Sequence, residues 1–224
     1  MPSLKNISKA MLFAAGRGER LRPFTDKTPK PLLPIGDKPI IDYSLAYLKR
    51  YGIEEVVINL CHLGEKIEQH VGDGKKYGLK IIYSREKELL GTGGGLKNAE
   101  KYFKNEKAFI TLNSDTLINC DLKELAAFHQ SQNASTTLVV APWQEGYTSL
   151  PIEGKNYLFT GLAVLGPSIF EKLTLKTTNL ITQGVPNFSA FVHEGYWRDI
   201  GTLQNYKAAQ EEWAASHHHR SVTA

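Results

Sequence analysis

Short apolar runs of β type recur along the chain at 10–14 (AMLFA), 55–59 (EVVIN), 80–84 (KIIYS), 108–113 (AFITLN) and 135–141 (STTLVVA). Between them, apolar residues return at helical spacing: Ile40, Ile41, Leu45 and Leu48; Leu63, Ile67 and Val71; Leu96, Ala99 and Phe103; Leu122, Leu125 and Phe128. Strand and helix alternating in this way predict an α/β fold, a Rossmann-like, mainly parallel sheet flanked by helices. Beyond Ala141 the alternation weakens, and Gly146, Pro151 and Gly154 mark turns before another apolar strand at 157–165. A last helix is expected at 203–215. In sheets of this kind ligands sit beyond the carboxyl ends of the strands, so chemistry is expected in the loops that follow them.

The first such loop supports that expectation. The strand at 10–14 runs into Ala15-Gly16-Arg17-Gly18-Glu19-Arg20-Leu21-Arg22-Pro23 and then reaches Thr28-Pro29-Lys30-Pro31. Glycines here let backbone amides approach an anion with no Cβ in the way. Arg20 brings a planar fork of donors, and Lys30 a compact charge between two prolines that restrict its backbone. The loop lacks the Gly-Lys-Ser/Thr ending of a Walker A loop and the third glycine of a dinucleotide fingerprint.

These residues resemble the sugar-phosphate nucleotidyltransferase family, whose signature is a strand, Ala-Ala-Gly-x-Gly-x-Arg-Leu, Pro-x-Thr and Pro-Lys-Pro, each element of which is present. The resemblance implies an enzyme that joins a nucleoside triphosphate to a sugar 1-phosphate and releases pyrophosphate. It places Ala14, Ala15, Gly16, Gly18, Glu19 and Arg20 around the triphosphate, with Arg20 and Lys30 as the catalytic pair. It also implies one nucleotidyltransferase domain over 1–215, with a nucleotide-binding part at 9–141, a sugar-binding insertion at 142–202, and an unstructured tail at 216–224. The run Ser84-Arg85-Glu86-Lys87-Glu88-Leu89-Leu90-Gly91-Thr92-Gly93-Gly94-Gly95 follows a strand and opens a helix, and in the family it frames the base. Glu86 or Glu88 would accept hydrogen bonds from guanine or from the uracil imide, so the base stays open. Gly91, Thr92, Gly93 and Asn113 are expected beside the nucleotide.

The segment 156–162 (NYLFTGL) resembles the family's sugar-binding strand, which places Thr160 and Gly161 at the acceptor. Where many members carry Glu-Lys-Pro before this strand, this chain has Glu153-Gly154-Lys155, so Lys155 is the substitute for the lysine that grips the sugar phosphate. Two further runs end in carboxylates: 108–115 at Asp115, and Tyr196-Trp197-Arg198-Asp199-Ile200-Gly201-Thr202 at Asp199. Magnesium takes oxygen ligands, commonly one or two carboxylates plus substrate phosphates, and by the resemblance Asp115 and Asp199 would hold Mg2+. Asp115 is followed by Thr116 and Leu117, which departs from the Asp-x-Asp common in glycosyltransferases. Because Ser-x-Glu-x-Glu-x-Leu precedes Thr-Gly-Gly-Gly, the chain is most similar to the short bacterial members that use N-acetylmuramate 1-phosphate and UTP. Members that use mannose or heptose 1-phosphate with GTP come next, and a sensor that keeps the pocket without the chemistry is the third reading.

Composition narrows the partners. A net charge of +4, with Lys and Arg interspersed among Asp and Glu, suits small anionic substrates better than nucleic acid. The apolar runs fall well short of the roughly 20 residues that cross a bilayer, so no membrane partner is expected. Residues 1–9 contain no apolar stretch of signal length, which makes the cytoplasm the expected compartment. Cys61 and Cys120 lack metal-ligand spacing and are read as inert thiols, His62, His70, His129 and His193 form no triad, and the tract His217–His219 receives no role. Assembly into a homo-oligomer is left open.

Overall fold

A computed structural model of the chain describes residues 7–132, 134–185 and 187–221. The strands are β1 (Lys9–Phe13), β2 (Pro34–Ile35), β3 (Lys38–Pro39), β4 (Glu55–Leu60), β5 (Lys80–Arg85), β6 (Phe109–Asn113), β7 (Thr116–Ile118), β8 (Thr136–Pro142), β9 (Leu150–Ile152), β10 (Lys155–Leu165), β11 (Ser189–Val192) and β12 (Trp197–Asp199). The helices are α1 (Ile40–Arg50), α2 (Gly64–Val71), α3 (Gly91–Asn98), α4 (Leu122–Ser131) and α5 (Leu203–Ser221). Each strand and helix read from the periodicity is present with its ends displaced by a few residues, except that the helix read over 96–103 is found earlier, at Gly91–Asn98, with a 3-10 turn at Glu100–Tyr102 carrying the chain on to Phe103. The other exception is α5, which continues past 215 to Ser221 through a stretch with no glycine or proline to stop it. The expected unstructured tail is therefore helical to 221, and 222–224 lie outside the described residues.

The main sheet has the order β11-β8-β10-β6-β1-β4-β5, with β9 hydrogen-bonded to β10. β1 is parallel to β4 and β6, β4 to β5, and β8 to β11. β10 runs antiparallel to both β6 and β8, so it is the reversed strand within an otherwise parallel array. The alternating side-chain directions of the strands divide the core. Ala10 and Leu12 of β1, Val56 and Ile58 of β4 and Ile110 and Leu112 of β6 pack on one face with Ile41, Leu45 and Leu122. Met11, Val57 and Phe109 point to the other face, against Leu96, Phe103 and Phe170.

From β1 the chain builds outward through β4 and β5, then returns to lay β6 on β1's other side. β1 is thus a topological switch point, and a crevice opens beyond its carboxyl end. The turn between β9 and β10 consists of Glu153 and Gly154, both with positive φ (50° and 79°), the conformation a two-residue hairpin prefers.

Candidate active site

Leaving β1, the backbone amide of Ala14 donates to Asn59 Oδ1 at 2.8 Å, which ties the start of the glycine loop to the end of β4. Gly18 adopts φ 65°, and a Cβ there would stand 2.9 Å from Thr25 Cγ2, so both conformation and space require glycine. Thr25 Oγ1 donates to the Gly18 carbonyl at 2.9 Å, folding the loop back toward Lys30. Pro29 precedes a short 3-10 turn, Lys30–Leu32, that delivers the Lys30 side chain inward. There Nζ forms an ion pair with Asp115 Oδ2, both side chains being largely withdrawn from solvent at 16% and 14% exposure.

Asp115 follows β6, and Asp199 closes β12. The two meet because β7 and β12 form an antiparallel ribbon in which Asp199 pairs with Thr116, while Ile200 N–H donates to the Asp115 carbonyl at 2.8 Å. Burial, and then the negative charge of Asp115, push the Asp199 carboxyl up to about 6, against the pull of Lys30 and Arg20. A Cβ on Gly201 would lie 2.8 Å from Arg20 Nη2 and from both Asp199 carboxylate oxygens, so the absence of a side chain there lets the guanidinium approach. Two withdrawn carboxylates that repel each other are an oxygen donor set of the kind a hard divalent cation takes.

Lys30, Asp115, Arg20 and Gly201 border two adjoining clefts, whereas Asp199 lines neither. One, of about 320 Å³, is lined by Ala14, Ala15, Gly16, Lys30, Asn113 and Asp115, with Gly91 and Thr92 opposite. The other, of about 340 Å³, is bordered by Gly18, Glu19, Arg20, Lys30 and Gly201. Leu89, half-exposed, lines both.

Other expected residues are placed differently. Gly93 was expected beside the nucleotide, yet it lies buried within α3 together with Gly94 and Gly95. A Cβ on Gly93 would meet the Thr177 carbonyl oxygen at 2.7 Å, one on Gly94 the Leu175 carbonyl oxygen at 2.6 Å, and one on Gly95 Glu86 Oε1 at 2.7 Å. They are spent on close packing with the chain itself. Glu86 does not face the cleft: it is 8% exposed, Oε1 accepts from Asn59 Nδ2 at 2.7 Å and Oε2 from the Leu90 amide at 3.1 Å. Burial raises its carboxyl above the ordinary range. Glu88 is exposed.

On β10, Thr160 also turns inward, its hydroxyl donating to the Val139 carbonyl at 2.8 Å and its carbonyl accepting from Trp197 Nε1 at 2.7 Å. Gly161, with φ 92°, sits where the β10 to β8 register shifts, and a Cβ would stand 2.7 Å from Thr116 Oγ1. Both shape the strand that backs β7. Lys155 is exposed at the β9–β10 hairpin and lines neither cleft. Asn59, Leu89, Thr178 and Asn179 line the first cleft and were not anticipated. Asn59 could have been found from its position at the carboxyl end of a strand; Thr178 and Asn179 carry no local signal.

A family model described as nucleotidyl transferase matches residues 9–148. The chain is 34% identical to the N-acetylmuramate alpha-1-phosphate uridylyltransferase of Neisseria meningitidis serogroup B, over 90% of this chain and 96% of that one. It is 32% identical to the mannose-1-phosphate guanyltransferase of Yarrowia lipolytica over 88% of its own length, spanning 62% of that longer relative. Among solved structures, HddC from Yersinia pseudotuberculosis complexed with GMP-PN superposes with a TM-score of 0.79 at 26% identity, covering 92% of this chain and 100% of that one. The chain belongs to the nucleotidyl transferase family. Among the described residues no helix is long and apolar enough to cross a membrane.

Proposed function

We propose that this protein transfers a nucleotidyl group from a nucleoside triphosphate to a sugar 1-phosphate, with N-acetylmuramate 1-phosphate and UTP as the leading pair. The observation that carries the reading is the ion pair of Lys30 with Asp115, set beside Asp199 and Arg20 at the mouth of a glycine loop. The 34% identity to an N-acetylmuramate alpha-1-phosphate uridylyltransferase over almost its whole length supports the choice of pair.

In this reading an oxygen of the sugar phosphate attacks the α-phosphorus, forming one O–P bond as the bond to the β-phosphate bridging oxygen breaks, and pyrophosphate departs. Amides of 15–18 and the Arg20 guanidinium hold the triphosphate. Lys30 lies where negative charge builds on the phosphorus oxygens, and a preorganised cation in a partly dry site stabilises such a transition state. Asp115 and Asp199 would hold Mg2+, which when bound supplies charge neutralisation between the two anionic substrates. Aligning the two substrates supplies the remainder, and no covalent enzyme intermediate is needed.

The test is pyrophosphate release with Mg2+, crossing UTP, GTP, CTP and dTTP with the 1-phosphates of N-acetylmuramate, glucose, mannose and heptose. Turnover is expected, highest with UTP and N-acetylmuramate 1-phosphate. Tight binding of nucleotide sugars with no turnover by any pair would favour the sensor, and no binding at all would overturn the loop assignment.

A further inference from the structure

A third cavity, of about 200 Å³, lies next to the first cleft, and Asn179 lines both. It sits close to the strand that carries Asp199, since its wall residue Tyr147 packs edge-on against Trp197 of β12 with ring centroids 5.3 Å apart. The volume is several times the ~30 Å³ share of one water molecule, enough for a substituent. Leu150, Leu158, Phe159 and Ile181 make its apolar walls, and its polar lining comes from Thr148, Thr182 and Asn179. None of the residues lining it is charged.

Asn179 has a fixed orientation. Its Oδ1 accepts from the Ile181 and Thr182 amides at 2.9 and 3.0 Å, capping the π-helical turn Leu180–Gly184. Two backbone donors settle which end of the amide is oxygen. Nδ2 is thus the outward end, a donor with no protein acceptor among the described residues. The same turn is anchored to the nucleotide side of the site, because Thr92 Oγ1 accepts from the Leu180 amide at 2.9 Å and Thr92 N–H donates to the Thr178 carbonyl at 3.0 Å.

We infer that this cavity selects the acceptor: it receives the acyl group of an N-acylamino sugar 1-phosphate, whose methyl packs on the apolar walls while its carbonyl accepts from Asn179 Nδ2. A neutral acyl amide matches an uncharged, mainly apolar pocket with a free N–H donor, whereas a free ammonium would be desolvated there without a counter-charge. A plain hydroxyl would leave the walls unfilled. A pocket that hydrogen-bonds a substituent discriminates strongly against analogues lacking it. The inference rests on the acceptor reading proposed above and adds the substituent that is read.

The experiment compares N-acetylmuramate 1-phosphate with its de-N-acetylated counterpart, with UTP and Mg2+, in the wild type, Asn179→Ala and Ile181→Trp, which fills the cavity. The wild type is expected to prefer the acetylated sugar at least tenfold in kcat/KM. Each variant should reduce that preference at least fivefold, and Ile181→Trp, whose position lies outside the first cleft, should move the KM for UTP less than twofold. Equal use of the two sugars by the wild type, or variants that raise the KM for UTP and leave the preference intact, would overturn the assignment. Should no pair turn over, the enzymatic reading fails on its own, and calorimetric titration of the two sugar phosphates decides the pocket: an acetyl preference lost in Asn179→Ala upholds it, and no preference overturns it.

Discussion

The amide of Ile200 donates to the carbonyl of Asp115 at 2.8 Å, and this one backbone bond fastens two segments more than 80 residues apart so that Asp199 and Asp115 share a site. The local ribbon of β7 and β12 extends the fastening, and Lys30 answers the combined charge from the opposite side.

Replacing Lys30 by Met should lower kcat about 100- to 1,000-fold, the usual cost of losing one preorganised charge from a transition state. The same change strips Asp115 of its cation beside Asp199, so the melting temperature should fall as well. Pyrophosphate release and thermal melts on one preparation check both. A variant with normal kcat would remove Lys30 from the chemistry.

Asp199→Asn should abolish turnover yet make the metal-free protein more stable at neutral pH, because it removes a charge whose burial, and then whose repulsion with Asp115, lift its carboxyl to about 6. A gain on the order of 1–2 kcal/mol is expected from a shift of that size after allowing for coupling with Asp115. Millimolar Mg2+ should raise the melting temperature of the wild type and leave the Asn variant unmoved. Stabilisation of both alike by Mg2+ would place the cation elsewhere.

Glu86 acts on the glycine loop through Asn59: carboxylate to Asn59 Nδ2, then Asn59 Oδ1 to the Ala14 amide. Glu86→Gln supplies one acceptor and one donor where two acceptors are used, so either Asn59 or the Leu90 amide would face another donor. An unsatisfied buried donor costs about 1–3 kcal/mol. The KM for the triphosphate should rise several-fold while kcat changes little, and Asn59→Ala should do the same. A loss confined to kcat would instead assign Glu86 to the reacting centre.

The frame of the fold was legible because strand and helix periods are local properties. Alternation in 10–14 and 55–59 determines which residues reach each face of the sheet, and those faces are the two core layers. The glycine loop, Lys30 and both aspartates were legible from the motif spacing of the resemblance. The packing of Gly93 and Gly94 was not legible because a glycine run looks the same whether a ligand or the chain's own carbonyls come close, and here those of Thr177 and Leu175 do. The contact of Thr160 was hidden for a related reason, since alternation along β10 does not reveal that its hydroxyl donates to the Val139 carbonyl. Asn179 was invisible because its place beside the cleft depends on the hydrogen bond that its neighbour Leu180 makes to Thr92, 88 positions earlier in the chain.

His129 is expected to contribute to the acid sensitivity of the fold. It is buried on α4, its Nδ1 lies 2.9 Å from Thr137 Oγ1, and burial alone holds its pKa below the ordinary 6.5. The folded protein therefore resists protonating a group that the unfolded chain protonates freely. Its contribution to stability is complete above pH 6.5 and declines as pH falls below that value toward the folded-state pKa. Wild-type melting temperature should accordingly drop more steeply between pH 7 and pH 5 than that of His129→Gln, which hydrogen-bonds without titrating. The comparison is of slopes, so a uniform loss of stability in the variant does not disturb it. Parallel slopes would show that His129 takes up its proton as readily folded as unfolded.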